Sequence, residues 1–131
     1  MLYAIIATDR PGSLPARLTA PLVCVAALVL RQRPLAALRI MARDGHKHAS
    51  PNAGLTEAAM AGALGIQLGG RVYYGGEAVD KPVIGDDLEP FEPRHIRVAN
   101  ALMFATTGLF LAAGLAVHYG IVSVWLAGGR P

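Results

Sequence analysis

The sequence predicts a mainly α-helical integral membrane fragment, with membrane segments at residues 14–30 and 99–127 joined by a cytoplasmic helix-and-loop region at 31–98, and a short strand at the N-terminus. Three observations carry this prediction. Of 131 residues, 53% are hydrophobic and only 16% charged, against about 25% charged in ordinary soluble domains. Mean hydropathy is +0.42. The charges are also segregated by segment rather than spread along the chain.

Met1 to Ala7 reads as one strand, ended by the turn residues Asp9, Arg10, Pro11 and Gly12, because proline presets φ and glycine accepts positive φ. From Leu18 to Leu30 the chain is uncharged. That run covers roughly 20 Å, short of the ~30 Å hydrocarbon core. Extension back to Leu14 requires Arg17 to reach the interface with its guanidinium, and Pro21 weakens the helix near its start. No basic n-region precedes the run and no small-residue cleavage site follows it, which argues against a removable signal. Cys24 is alone, so no intrachain disulfide forms, and it reads as a small buried hydrophobe.

Arg31, Arg33, Arg39, Arg43 and Lys47 then face a single acid, Asp44. Leu35, Leu38, Ile40 and Met41 recur at near-helical spacing, which predicts an amphipathic helix at the headgroup level of the cytoplasmic face. The net charge of +3 does not point to nucleic acid as a partner, since no aromatic residue interleaves the basic ones.

Asp44 to Tyr74 holds the densest chemistry. Ser50-Pro51 fits a helix N-cap followed by proline at the first position, although Gly54 makes a tight turn and a start at Thr56 equally reasonable. Ala58, Ala59, Ala61, Gly62, Ala63 and Gly65 would let a helix over 56–68 pack closely against other backbones. Glu57 then has two readings, a carboxylate stabilised near a helix N-terminus or a ligand for substrate or metal. His46 and His48 with Asp44 have ligand chemistry, but no recognised zinc spacing. Residues 75–97 are acid-rich and interrupted by Pro82, Pro90 and Pro93, which predicts a loop, with Glu92-Pro93 starting the next helix. Asp86 and Asp87 are either solvated or a Mg²⁺ site beside a nucleotide. No Walker loop, dinucleotide fingerprint or nucleophile elbow is present.

Residues 99–127 carry no charge, enough for a tilted span. Gly108, Gly114 and Gly120 offer small surfaces to another helix, and Tyr119 and Trp125 suit the interfacial belt. His118 reads as packed or interfacial rather than as a proton relay.

Two resemblances follow from these residues. The opening MLYAIIATDRPGSLPARL is similar to the start of the YciI-like family, so residues 1–14 read as such a start without an independent domain. Asp9 has only a turn role. The run RIMARDGHKHASPNAGLTEAAMAGALGIQLGG, with YYGGEAVDKPVIGD and IRVANALMF, closely resembles the C-terminal part of the CobD/CbiB family of cobalamin-biosynthesis membrane proteins, over residues 15–131. The resemblance implies a multi-pass inner-membrane enzyme, an ATP-dependent C–N ligase. It would join the carboxylate of adenosylcobyric acid to aminopropanol or its phosphate, with ATP and Mg²⁺ as cofactors and membrane lipid around it. Asp44, Lys47, Ser50, Asn52, Gly54, Glu57, Gly69, Gly70 and Gly85 match the family pattern. Leu55-Thr56 stands where the family usually has an aromatic-proline pair. The roles implied are catalytic for Glu57 and Lys47 and substrate-binding for Asp44, Ser50, Asn52, Gly54, Gly69 and Gly70. Glu57 and Asp86 are the metal candidates. The family's N-terminal half is absent from the sequence, so the expectation is a truncated enzyme. The alternative is a non-catalytic membrane-anchored remnant, or a subunit needing a separate N-terminal partner or other membrane helices.

Overall fold

Residues that are small enough for backbones to touch decide the architecture. In the computed structural model, residues 14–128 are described. The strand expected at 1–7 and the turn at 9–12, and with them the YciI-like start apart from Leu14, lie outside these residues. The elements are α1 (Leu14–Val29), α2 (Pro34–Asp44), α3 (Pro51–Leu64), β1 (Leu68–Tyr74), β2 (Glu77–Ile84) and α4 (Pro93–Gly128).

The core of α1, α2 and α3 is largely alanine: Ala20, Ala26, Ala27, Ala37, Ala58, Ala59, Ala61 and Ala63 are buried, with Ile40 and Met41 as bulk. A Cβ on Gly62 would stand 2.6 Å from the Ala36 carbonyl oxygen and 2.7 Å from the Ala37 Cα, so α3 lies backbone to backbone on α2. Ala26 and Ala27 meet Ala37, Ala63 and Leu64 in one cluster. Ala20 and Val23 meet Met41 and Ala59 in another. This order makes α2 antiparallel to α1 and α3 parallel to it. Leu102 joins the first cluster, and Thr106, Thr107, Phe110 and Leu111 stand around Thr19, so α4 runs antiparallel to α1.

The close-packed small-residue helix takes the first of its two expected starts, Ser50 at the N-cap and Pro51 at the first position, rather than Thr56. It ends before the expected Leu68, at Gly65, whose φ of 69° closes the helix in the left-handed conformation, the usual way a helix ends. The loop expected over residues 75–97 is in part a hairpin. Tyr74 and Glu77 pair across Gly75 and Gly76, with φ of 57° and 91°, the two positive values a tight hairpin turn requires. Gly69 sits where the register shifts between Leu68 and Gly70. A side chain on it would run into the Pro82 carbonyl.

After β2 the chain runs back along α2 as an acidic strap. Asp86 pairs with Arg39 and Arg43, Glu89 pairs with Arg33, and the Leu88 and Glu89 amides both donate to the Gly65 carbonyl, at 3.2 and 3.1 Å. Of the segment 31–47, residues 34–44 form the expected helix with an apolar face, and its arginines Arg39 and Arg43 engage Asp86 of the strap, since a carboxylate at hydrogen-bond distance makes a strong charge-assisted pair.

α1 is 16 residues long, ~24 Å, and spends one face on α2 and α3. α4 starts at Pro93, as the Glu92-Pro93 pair predicts, and is 36 residues long. It is the helix, among the described residues, that is long and apolar enough to cross a membrane. Beyond Leu109, which still packs against the first cluster, the helix is exposed, with Leu111, Leu115, Val117, Ile121, Val124 and Trp125 at its surface. The 22 residues 107–128 span ~33 Å, the thickness of a hydrocarbon core. A Cβ on Gly108, Gly114 or Gly120 would meet nothing among the described residues.

Candidate functional site

The end of α2, the loop that follows and the start of α3 are held together by one buried carboxylate. Asp44 is fully buried. Its Oδ1 accepts from Arg43 Nε at 2.8 Å, and its Oδ2 accepts from Arg43 Nη2 at 2.7 Å and from the Gly85 amide at 2.9 Å. Lys47 Nζ adds an ion pair at 2.8 Å. The Arg43 hydrogen bonds, then those from Lys47 and Gly85, hold the Asp44 carboxyl far below the usual range against the cost of its burial. Asp44 in turn, followed by Asp86, pushes the Arg43 guanidinium up. A carboxylate with every lone pair engaged positions its neighbours and is not available to substrate.

Gly54 permits the next step. A Cβ there would collide with the Gly45 carbonyl and approach the His48 Cβ to 3.0 Å. The 45–48 loop therefore lies against α3 only because residue 54 has no side chain, which places His48 beside Glu57. His48 Nε2 stands 3.8 Å from Glu57 Oε2, and its Nδ1 accepts from the Ser50 amide at 2.9 Å. That hydrogen bond fixes the neutral ring as the Nε2–H tautomer, facing the carboxylate.

Lys47, His48, Ala49 and Glu57 form one wall of a groove of ≈ 490 Å³, and Leu68, Gly69, Lys81, Pro82 and Ile84 of the hairpin form the other. Lys47 Nζ also donates to the Val83 carbonyl at 3.3 Å, so it links the two walls. Lys81 Nζ donates to the Tyr74 hydroxyl at 2.7 Å and lies 5.0 Å from the centre of that ring. The groove thus combines two ammonium groups and a histidine with one half-exposed carboxylate, over an apolar floor. Such a lining suits an anionic group with an organic body.

The structure brings Lys47, Glu57 and Gly69 to this groove. It does not bring the other expected residues there in the same way. Asp44 lies beneath the groove as a positioning group, and Gly54 is buried as a spacer. Ser50 and Asn52 are exposed at the start of α3, Ser50 without a side-chain cap bond. Gly70 has open space around it. His46 is exposed. Lys81 escaped the sequence reading, although the VYY-GG-EAV pattern was a hairpin signal that would have set it opposite Gly70.

Among the described residues no three His, Cys, Asp or Glu side chains converge on one point. Both oxygens of Asp86 are occupied by Arg39 and Arg43. Their hydrogen bonds, Arg43 first, hold its carboxyl below the usual range. Of the two metal candidates only Glu57 keeps a carboxylate facing the groove, which fits a Mg²⁺ held mainly by phosphate oxygens and a single protein carboxylate.

Comparison with known proteins places this geometry in context. Residues 9–103 match the family described as CobD/Cbib protein. The chain is 45% identical over 105 residues to the cobalamin biosynthesis protein CobD of Streptococcus sanguinis, covering 79% of this chain and 33% of that protein. It is 46% identical over 103 residues to the CobD of Geobacter metallireducens, covering 79% and 32%. It is 45% identical over 116 residues to the cobalamin biosynthesis protein CbiB of Salmonella typhimurium, covering 88% and 36%. The chain therefore spans about a third of the length of the curated relatives it matches. No solved structure matches it significantly.

Proposed function

Because the chain belongs to the CobD/CbiB family, we propose that it supplies the groove-bearing part of a cobalamin-biosynthesis enzyme that joins the carboxylate of adenosylcobyric acid to aminopropanol or its phosphate as an amide. The observation that carries this reading is that the matched segment, residues 9–103, encloses every residue lining the groove.

In this proposal ATP, with Mg²⁺, supplies the activation of the carboxylate when bound. Lys47 and Lys81 neutralise the anionic oxygens on that group as charge shifts onto them. Glu57 accepts hydrogen bonds from the ammonium of the amino alcohol and takes the proton that the amine must lose before it attacks. His48 Nε2–H, on the Glu57 side, orients that carboxylate. Leu68, Pro82 and Ile84 present an apolar surface to the body of the corrinoid.

The same proposal places the enzyme in the inner membrane, with residues 107–128 crossing the bilayer and residues 31–98 in the cytoplasm. The basic side of 31–47 supports that orientation. The groove belongs to the end of the helix bundle from which α4 emerges, so it opens near the membrane surface. The remaining helices of a multi-pass assembly would come from the part of the relatives that this chain does not span.

A second reading is favoured by a separate observation: the chain is a subunit completed by a separate N-terminal partner. Arg17 is only 9% exposed, and its Nε and Nη1 have no hydrogen-bond partner among the described residues. An unpaired buried guanidinium is costly, and an acidic group from that partner would satisfy it. Complementation of a strain lacking a CobD/CbiB-type protein tests both. Growth on cobyric acid with this chain alone supports an enzyme complete in itself. Growth only when the N-terminal two-thirds of a relative is co-expressed supports the subunit. Growth in neither case contradicts both readings and leaves a non-catalytic remnant.

A further inference from the structure

A second concave site lies at the other end of the bundle, and it is built from arginines. Arg31, Gln32, Arg33, Ala63, Leu64, Glu89, Arg94, His95 and Val98 enclose ≈ 180 Å³. Along α3 the lining residues Ala63 and Leu64 lie ~10 Å from Glu57 of the groove, so the two sites are distinct.

The charge in this pocket is unbalanced. Arg33 and Arg94 both pair with Glu89, and Arg94 Nε also takes Glu92 at 2.8 Å. Buried His95 accepts from the Glu92 amide at Nδ1, 3.0 Å away, so its Nε2–H faces Glu89 at 3.4 Å. Around them three guanidiniums face two carboxylates. Three guanidiniums carry about fifteen N–H donors, and three of these reach a side-chain acceptor among the described residues. Arg31 has no ion-pair partner among the described residues.

Arg31 is also where it is at a cost to the backbone. The Gln32 amide donates to the Ala27 carbonyl at 2.8 Å and the Arg31 amide to the Leu28 carbonyl at 3.1 Å, which is the Schellman end of a helix with residue 31 at its left-handed position. Its φ is 54°, and it is the non-glycine residue with positive φ among those described. Glycine is favoured there because any Cβ is strained. The sequence keeps a long cationic side chain in that place, exposed and lining the pocket. Gly65 leaves room for the Arg33 guanidinium, which a Cβ would overlap.

We propose that this pocket binds the phosphate group of a soluble phosphate ester, with Arg31 as the residue that engages it and Arg33 and Arg94 as the second and third sides of the clamp. The planar donor fork of arginine matches phosphate oxygens in pairs. A lipid phosphate has the same chemistry. The pocket, however, belongs to the end of the bundle away from the emerging half of α4, so a soluble ester is the expected source.

The test uses the whole chain in maltoside micelles, with inorganic phosphate as the probe and chloride at matched ionic strength as the control. Phosphate is expected to raise the melting temperature of the wild type by ~3 °C. Arg31→Gly should raise the baseline melting temperature, by relieving the strained position, and abolish the phosphate increment. Arg31→Gln, which keeps the strain but not the charge, should abolish the increment as well. A purely structural arginine would leave the increment untouched in both variants, and that result overturns the proposal, as does a wild type with no increment. Arg31-dependent preference for phosphatidylglycerol over phosphatidylcholine vesicles, without a response to inorganic phosphate, would overturn the soluble source and assign the pocket to lipid.

Discussion

The Gly85 amide donates a hydrogen bond to Asp44 Oδ2 at 2.9 Å across a separation of 41 residues. This contact fastens the foot of the hairpin to the end of α2 and so sets one wall of the groove against the other. Asp44→Asn keeps the shape but removes the charge that Arg43 and Lys47 face. Partial exposure of Arg43 softens the loss, so the expected destabilisation is ~2–3 kcal/mol, read by denaturant unfolding in detergent. An unchanged midpoint would mean that the buried carboxylate does not organise this end of the molecule.

Acid should loosen the strap. Asp44, Asp86 and Glu89 all have carboxyls held below their ordinary values, chiefly by Arg43 for the first two and by Arg33 for the third. A carboxyl depressed in the folded state contributes stability that is complete above its unfolded value of about 4. That stability is lost as pH falls through the lower folded value. Melting temperature should therefore hold from pH 7 to about 5 and fall below about 4, less steeply in Asp86→Asn than in the wild type.

Gly62→Ala tests the backbone contact between α2 and α3. Helix propensity alone favours alanine by about 1 kcal/mol, yet the new methyl has backbone atoms of Ala36 and Ala37 in its way. Overpacking of this kind costs ~1–3 kcal/mol, so the net change should be destabilising. A more stable variant would show that the two helices have room to separate.

Much of this arrangement was legible in the sequence. The small-residue run of α3 announced close packing, Glu92-Pro93 marked the start of α4, and its uncharged length marked a helix long and apolar enough to cross a membrane. What was hidden depended on contacts distant in sequence. Nothing local to Arg39 or Arg43 shows that Asp86 will reach them, and the proline-rich look of 75–97 masked a hairpin whose signal was the Gly75-Gly76 pair. For the same reason Asp44 looked like a substrate ligand when its partners make it a positioning group. Lys81 looked like a loop residue when the hairpin brings it to the groove.

Lys81→Ala separates binding from folding. Lys81 is exposed and its side chain hydrogen-bonds Tyr74 alone among the described residues, so the fold should keep its melting temperature. Losing a charged contact to an anionic substrate corresponds to ~10–100-fold weaker use of it, read as a rise in KM in membranes. Lys47→Ala should differ by losing stability too, since Lys47 also serves Asp44.

The central claim is that Glu57 and the groove around it act on the amino alcohol. It is tested most directly by replacing the matching segment of a full-length relative with residues 9–103 of this chain and measuring the corrinoid amide product in membranes. The chimera is expected to form product, and Glu57→Gln in it to lower the rate by ~10²-fold or more at equal membrane abundance. A Glu57→Gln chimera as active as its parent would contradict the account.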